Sequence, residues 1–306
     1  MISPSVRPRL EFAAKSFLVV AFLGTLTAGV VRLQQKALAD EQHHVDLGAW
    51  TVIERPAWCT LDDVRSIRDV TRLRGWRASV LHPGAGPVVW RSLESAPQVA
   101  RVVGLQKRYP AEFEAVVEIR RPVAAVRVGP PNATRWVEVD AEGVALSTPS
   151  AERPVREARP LRAVTGVTGV VPPPGSSFGP DVVEAADLSA ELDRFGAPED
   201  QDLLRALDEI DVSNFGGRKK AGESEIVLRT VVAPAPGARA PSPCLVEWGR
   251  ARRADPYDPE PGFGAKASRL AQALRLFPGL VGLRSVRVAF DDLVVVPSTG
   301  SPLLKR

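Results

Sequence analysis

The stretch KRYPAEFEAVVEIRRPVAAV, residues 107–126, carries the cleanest pattern in the chain. From Glu112 to Arg120 the side chains alternate between two sides. One side is apolar and consists of Phe113, Ala115, Val117 and Ile119, and the other holds Glu112, Glu114, Val116, Glu118 and Arg120. A period of two predicts a strand with one face against a core. Pro110 and Pro122 stand at its ends, where proline is tolerated.

Composition indicates a folded, turn-rich protein. The chain has 306 residues, of which 44% are hydrophobic and 25% charged, enough for roughly two ordinary domains. The 28 prolines and 24 glycines favour an all-β or α+β protein. A net charge of only +4, with basic residues spread along the chain, argues against a nucleic-acid partner.

An uncharged segment near the N-terminus predicts a membrane anchor. Ser16–Val31 carries no charge, and with Phe12–Lys15 the apolar stretch reaches about 20 residues, enough to cross a bilayer. Basic residues before it slightly outnumber those after it, which places the N-terminus inside the cell. We therefore predict a cytoplasmic tail (1–15), a transmembrane helix (16–34), a juxtamembrane stalk (35–48) and an exported remainder.

A cleaved signal peptide is the alternative for this segment. Ala37-Leu38-Ala39 fits a cleavage pattern, but Arg32 and Lys36 lie between it and the apolar run, which is also long for a signal peptide. Both interpretations place residues 40–306 outside the cytoplasm.

Residues 49–121 predict a compact unit of two helices on a three-stranded sheet. A short strand at Trp50–Ile53 precedes a capping box at Thr60–Asp63, which starts a helix. A second short helix is predicted at Val88–Ser95, then a strand at Ala100–Leu105 and the opening strand. The order is strand, helix, helix, strand, strand (βααββ).

Residues 122–299 predict a larger, mainly antiparallel β domain with a few helices, followed by a tail at 300–306. The segment VDAEG (139–143) predicts a hairpin with a left-handed glycine. The predicted helices and strands follow apolar spacing; the helices are Pro198–Ile210 and Lys266–Phe277, the latter with Lys266, Arg269 and Arg275 outside, and the strands are Val123–Val128, Glu225–Val232, Cys244–Trp248, Ser285–Phe290 and Leu293–Val296. The fold class is α+β.

Motifs for catalysis, cofactors and metals are missing from the sequence. Its three histidines, His43, His44 and His82, lie in the predicted stalk and a turn, and neither GxSxG nor Walker A occurs. GGRKK (216–220) is interpreted as a solvated hairpin tip rather than a phosphate site. We predict no catalytic residue, no cofactor and no metal site, and hence no enzyme.

The two cysteines, Cys59 and Cys244, form no CxxC motif, so a structural zinc site is not expected. They lie in different predicted domains. Two buried thiols are favoured over a disulfide between them, which an oxidising compartment would permit.

The series of motifs resembles the FtsQ/DivIB family of bacterial division proteins. KRYPAEFEAVVEIRRPVA resembles the end of that family's POTRA unit, VDAEG the hairpin that follows, and RLAQALRLF…LRSVRVAFDDLVVV the last helix and terminal strands. The chain departs from the pattern at Ala289, where the family commonly has arginine, and at Tyr109-Pro110, where Trp-Pro is frequent. Loops 148–180 and 233–264 are also long.

The resemblance implies a non-enzymatic divisome scaffold in the inner membrane at the division septum. It would recruit small bitopic proteins similar to FtsB and FtsL and link early to late division proteins, with no nucleic acid or small-molecule substrate. The mode of binding we predict is strand addition at a sheet edge. The predicted contact residues are Val286, Val288, Phe290, Asp291, Leu293, Val294, Val295 and Val296 in the terminal strands, and Glu114, Val116 and Glu118 at a POTRA edge.

Three alternatives remain open at this point. The first is a POTRA-containing factor for envelope secretion or outer-membrane assembly. The second is an anchored hydrolase, which the lack of a nucleophile–base pair disfavours. The third is that the terminal strand is central and buried rather than an exposed edge.

Overall fold

The structure is a computed structural model that describes residues 7–196, 198–230, 243–250, 260–290, 292–298 and 303–305. It divides into an N-terminal unit, residues 1–118, and a C-terminal unit, residues 119–306; the predicted boundary lies at 121/122. Mixed helices and sheets behind one N-terminal apolar helix confirm the coarse α+β prediction.

The N-terminal unit begins with a long helix, and five strands and two further helices follow. The elements are α1 (Arg7–Ala39), β1 (His44–Asp46), β2 (Thr51–Ile53), α2 (Leu61–Thr71), β3 (Arg77–Ser79), α3 (Ala85–Glu94), β4 (Val99–Arg108) and β5 (Glu112–Ile119). Within α1, Lys15–Ala39 has a mean hydropathy of 1.9 over its most apolar window and none of that window is buried. It is long and apolar enough to cross a membrane, as both an anchor and a signal sequence are.

A three-stranded sheet in the order β2-β5-β4 forms the body of this unit, and β1 pairs with β3 in a separate ribbon. The alternation of the opening stretch is realised in β5, where Phe113, Ala115 and Val117 are buried. Ile67 of α2 and Val89 of α3 are also fully buried, and α3 packs against β4 of the same sheet. The capping box is present, since Thr60 accepts from the Asp63 backbone and the Asp63 side chain accepts in return.

The C-terminal unit contains eleven strands and three helices among the described residues. The elements are β6 (Ala124–Val128), β7 (Arg135–Val139), β8 (Val155–Arg156), β9 (Arg159–Pro160), β10 (Arg162–Thr165), α4 (Pro180–Arg194), α5 (Pro198–Leu204), β11 (Leu207–Asp211), β12 (Ile226–Thr230), β13 (Leu245–Gly249), α6 (Phe263–Leu276), β14 (Leu283–Arg287), β15 (Leu293–Pro297) and β16 (Leu303–Lys305). Nine of the strands form one sheet in the order β16-β15-β14-β13-β12-β11-β10-β6-β7.

This sheet is mixed rather than simply antiparallel. β10 is parallel to both β6 and β11, and β13 is parallel to β14, while the other neighbours are antiparallel. Parallel neighbours need a crossover, which α4 and α5 supply between β10 and β11 and α6 supplies between β13 and β14. The helices cover a core that includes Val164, Ile210, Leu228 and Leu270.

One predicted helix of this unit differs from the structure, and one predicted hairpin agrees with it. The predicted helix Pro198–Ile210 ends at Leu204, and Leu207–Asp211 is the strand β11 instead. A β-bulge between Leu207 and Glu209 lets Leu207 and Ile210, three residues apart, both be buried in a strand. The hairpin at VDAEG is confirmed: Gly143 has φ +71° and Val139 bridges Ala145.

Cys59 and Cys244 form no disulfide and are both buried, one in each unit. Burial raises the pKa of the Cys244 thiol to about 12. In this structure they are two apolar core positions without a bridge.

Candidate partner-binding margin of the large sheet

The terminal strands β14 and β15 pair in register, with Val286 opposite Val295 and Arg287 opposite Val294. Because side chains alternate between the two faces of a strand, only every second residue can reach a partner. Val286, Val288, Leu293 and Val295 are at most 4% exposed and belong to the core beneath the helices. Four of the predicted contact residues therefore stabilise the fold and cannot touch a partner without unfolding.

Three of the predicted contact residues reach the surface. Phe290, in the turn between the strands, is 59% exposed, and Val294 and Val296 are partly exposed on the sheet face opposite the core. Asp291 lies outside the described residues. Strand alternation separates these side chains from the buried ones.

The prediction that segment 286–296 is a free edge is wrong. β14 lies between β13 and β15, and β15 has β16 on its other side. Leu303–Lys305, within the predicted tail 300–306, pairs with Leu293–Val295. Residues 297–302 are proline, glycine, serine and threonine, which favour a tail after the apolar run, yet Leu303–Lys305 forms a further strand.

Arg269 of α6 positions the turn that carries Phe290. Its guanidinium donates to the carbonyl oxygen of Val288 at 3.2 Å and to that of Phe290. We predicted only that Arg269 would stay outside. One guanidinium nitrogen thus bonds two carbonyl oxygens that are two residues apart and restrains the turn, so that the exposed phenyl ring is presented from a fixed backbone.

A groove of about 920 Å³ crosses the open face of the sheet beside this turn. Its floor includes Val227, Glu247 and Arg287 from three neighbouring strands, and Arg287 donates to Glu247 at 2.8 Å. Phe290 lies at the groove, and the glycine-rich segment 216–225 lines another part of it. The groove combines polar and apolar side chains with one large exposed aromatic ring, as protein-binding surfaces often do.

A buried lysine anchors the groove's border to the helix layer. The Lys266 ammonium donates to Glu260 at 2.6 Å and lies 5.8 Å from the centre of the Trp248 ring. Glu260 also accepts from the backbone N–H of Arg250. The prediction that Lys266 lies outside is wrong because a carboxylate and an aromatic face make its burial tolerable.

Arg218, in the GGRKK segment, acts as an internal clamp. Its guanidinium donates to Asp181 at 3.0 Å and to the carbonyl oxygen of Val212. Because those donors are engaged, this arginine is not available to an incoming phosphate, whereas Lys219 and Lys220 remain exposed. Among the residues the structure describes, no three His, Cys, Asp or Glu side chains gather as a metal site would need.

In the N-terminal unit, the predicted edge at Glu114, Val116 and Glu118 is wrong. These residues belong to β5, which lies between β2 and β4, with Ile53 opposite Val116. The glutamates form ion pairs on the sheet surface, Glu114 with Arg108 and Glu118 with Arg101, each at 2.6 Å. The edges are the short β2 and the ten-residue β4, on which Val103 is 51% exposed.

Compared with known proteins, the chain matches no family model and no curated sequence.

Proposed function

We propose that the chain is a bitopic envelope scaffold of the FtsQ/DivIB type, which recruits small single-span division proteins similar to FtsB and FtsL and catalyses no reaction. One observation carries the proposal more than any other. The large sheet ends beside an exposed, arginine-braced phenylalanine, at a margin where, among the described residues, β16 pairs with Leu293–Val295 of β15.

The physical route is strand addition at this margin. Leu303–Lys305 of β16 pairs with Leu293–Val295 of β15, and Val296 follows on β15 with a partly exposed side chain. Among the described strands, β16 is outermost and has no further neighbour. A partner segment in extended form obtains backbone hydrogen bonds either outside β16 or in its place, and its side chains reach Phe290 and Val296.

The remaining parts fit such a scaffold. α1 serves as the anchor with its basic N-terminal end inside, so that both units act outside the cytoplasm at the division septum. The N-terminal unit serves as the POTRA domain. Its second partner would pair with the outer edge of β4, where Val103 is exposed, rather than with β5.

The test begins in the cell that produces the protein. A fluorescent fusion is expected at mid-cell, depletion is expected to give filaments, and a small coiled-coil membrane protein is expected to co-purify with the chain. If depletion instead causes an export defect without filaments, and the fusion is spread evenly over the membrane, the protein is a secretion or assembly factor and the proposal is refuted.

Two substitutions locate the binding margin. Phe290→Asp and Val296→Asp are expected to abolish co-purification because each places a charge on the proposed contact without altering a buried side chain. Val170→Asp is the matched control, since Val170 is 94% exposed in the same unit and outside the margin. Equal co-purification with all three variants would show that the partner binds elsewhere.

A further inference from the structure

A turn in the N-terminal unit combines an exposed tryptophan with three arginines. This basic turn is residues 72–77, Arg-Leu-Arg-Gly-Trp-Arg, between α2 and β3. Trp76 is 64% exposed, and the three arginines are exposed as well, while Leu73 is buried and fixes the turn to the core. An indole held in water costs free energy unless a partner covers it.

The basic turn is held rigid from below. The Asp46 carboxylate of β1 accepts from the backbone N–H of Gly75 at 3.0 Å and from that of Gly48 at 2.9 Å. The Leu47 N–H donates to the Trp76 carbonyl oxygen at 2.8 Å, and the Trp76 N–H donates to that of Leu73 at 3.0 Å. Because these bonds restrain the backbone on both sides of the indole, a partner would bind Trp76 with little loss of backbone entropy.

The arginines of the basic turn differ from their neighbours in their hydrogen bonds and ion pairs. Neighbouring arginines are engaged, Arg65 with Asp62 and Arg68 with the Trp50 carbonyl oxygen. In the part of the chain that the structure describes, Arg72, Arg74 and Arg77 take part in no side-chain hydrogen bond or ion pair. The nearby Asp46 carboxylate accepts hydrogen bonds from backbone N–H groups and interacts with Arg74 and Arg77 only at longer range, so the donors of all three exposed guanidinium groups stay available around one indole.

The place of the basic turn favours a protein over a lipid surface. In the β1–β3 ribbon, His44 pairs with Ser79 at the end near α1, whereas Asp46 pairs with Arg77 at the other end. The chain leaves α1 at Ala39 and reaches Asp46, the residue that pairs with Arg77 of the turn, seven residues later. Along the chain, the first end of the ribbon is nearer to α1, and hence to headgroups beside α1, than the second end that carries the turn.

We propose that the basic turn is a docking site for an acidic segment of another protein, in which an apolar side chain packs on Trp76 while flanking carboxylates pair with Arg74 and Arg77. Tryptophan and arginine dominate the binding energy of protein interfaces, and guanidinium groups bind carboxylates in bidentate fashion. This site is separate from the margin in the C-terminal unit and does not depend on strand addition.

The test uses the full chain in discs of neutral phosphatidylcholine. The probe is a fluorescent peptide of glutamate, glycine and leucine in which glutamates flank each leucine, compared with a peptide that has glutamine in place of glutamate. We expect the acidic peptide alone to bind, with an affinity that falls as salt rises. Trp76→Ala is expected to weaken binding by about thirtyfold and Arg74→Gln by about fivefold or more.

Matched variants separate this site from general surface charge. Tyr109→Ala removes another aromatic ring of the same unit, 69% exposed, and Arg65→Gln removes another exposed arginine. Both are expected to bind the acidic peptide as the wild type does. Protection of the buried Cys59 thiol verifies that each variant has kept the fold of the unit.

Two results would overturn the proposal. Peptide binding that is absent, or equally reduced by all four variants, would leave the basic turn as a solvated surface only. A Trp76-dependent blue shift of fluorescence on adding phosphatidylglycerol to the discs, without peptide binding, would identify a lipid contact instead.

Discussion

Replacing Arg162 by methionine should destabilise the C-terminal unit strongly, because this arginine joins β10 to both crossover helices. Its side chain is 5% exposed and donates to Asp193 at 2.7 Å. It also donates to the carbonyl oxygens of Ser189 at 3.1 Å, Leu207 at 3.1 Å and Leu204 at 3.3 Å. Methionine can fill the apolar path of the stem but cannot donate.

The magnitude follows from these contacts. Three carbonyl oxygens lose a donor, at about 1 kcal/mol each. The Asp193 side chain is 21% exposed, so water can replace part of the lost ion pair, which adds about 1–2 kcal/mol. We therefore expect a loss of about 4–5 kcal/mol in the free energy of unfolding of this unit. Arg159→Met is the control: Arg159 reaches the same carboxylate at 3.4 Å but is 36% exposed, and should cost less than about 1 kcal/mol.

The two buried thiols provide the assay. Cys244 reports opening of the C-terminal unit and Cys59 opening of the N-terminal unit, and mass spectrometry of thiol-labelled peptides follows them separately. Arg162→Met should speed labelling of Cys244 by about three orders of magnitude and change that of Cys59 far less. Similar labelling rates for Arg162→Met and Arg159→Met would refute the assignment of Arg162 as the central clamp.

Three further predictions concern single positions. Because burial raises the pKa of Cys244 to about 12, its alkylation in mildly alkaline buffer should be slow in the native chain and fast in denaturant, as mass spectrometry can measure. Gly166→Ala should lower the free energy of unfolding by more than about 2 kcal/mol, since φ is +74° and a Cβ would lie 2.5 Å from the Ser213 backbone nitrogen; Gly222→Ala, with φ +82° and open space, should cost about 1 kcal/mol in the same urea titration. Backbone N–H groups lower the pKa of Asp46 below its ordinary 3.8, so its stabilisation should be complete above that value and lost as pH falls through the depressed pKa; the Tm difference between wild type and Asp46→Asn should shrink in that range.

Local patterns predicted the elements whose cause is local. The strand β5, the capping box at Thr60 and the left-handed Gly143 each depend on residues within a few positions, so the sequence could reveal them. α4 was missed, although Pro180 at its first turn and a run of small apolar residues indicate a helix start. Its alanines pack against the sheet, so that small side chains stand at buried positions where large apolar residues usually mark a helix.

Positions that depend on distant partners could not be predicted in this way. Lys266 looked like a solvated helix residue because nothing in its own segment shows that Glu260 and Trp248 come together around it. The edge of the large sheet depended on a strand that lies beyond the last apolar run. Strand order is decided by pairing between remote segments, and the sequence of an apolar strand alone does not reveal whether one or two other strands pair with it.

The run Leu293–Val296 is compatible with the proposed partner although β15 is not an edge strand. Leu293 and Val295 account for the helix-side core, but Val294 and Val296 fall on the open face, where Leu245 is 38% exposed. Apolar side chains on that face, beside Phe290 and the groove, are not needed to close the core, and they gain stability only when something covers them. A partner that adds as a strand must present every second side chain to this face. An alanine scan of its segment should therefore show losses with a period of two, whereas a partner that docks as a helix would show a period of three to four.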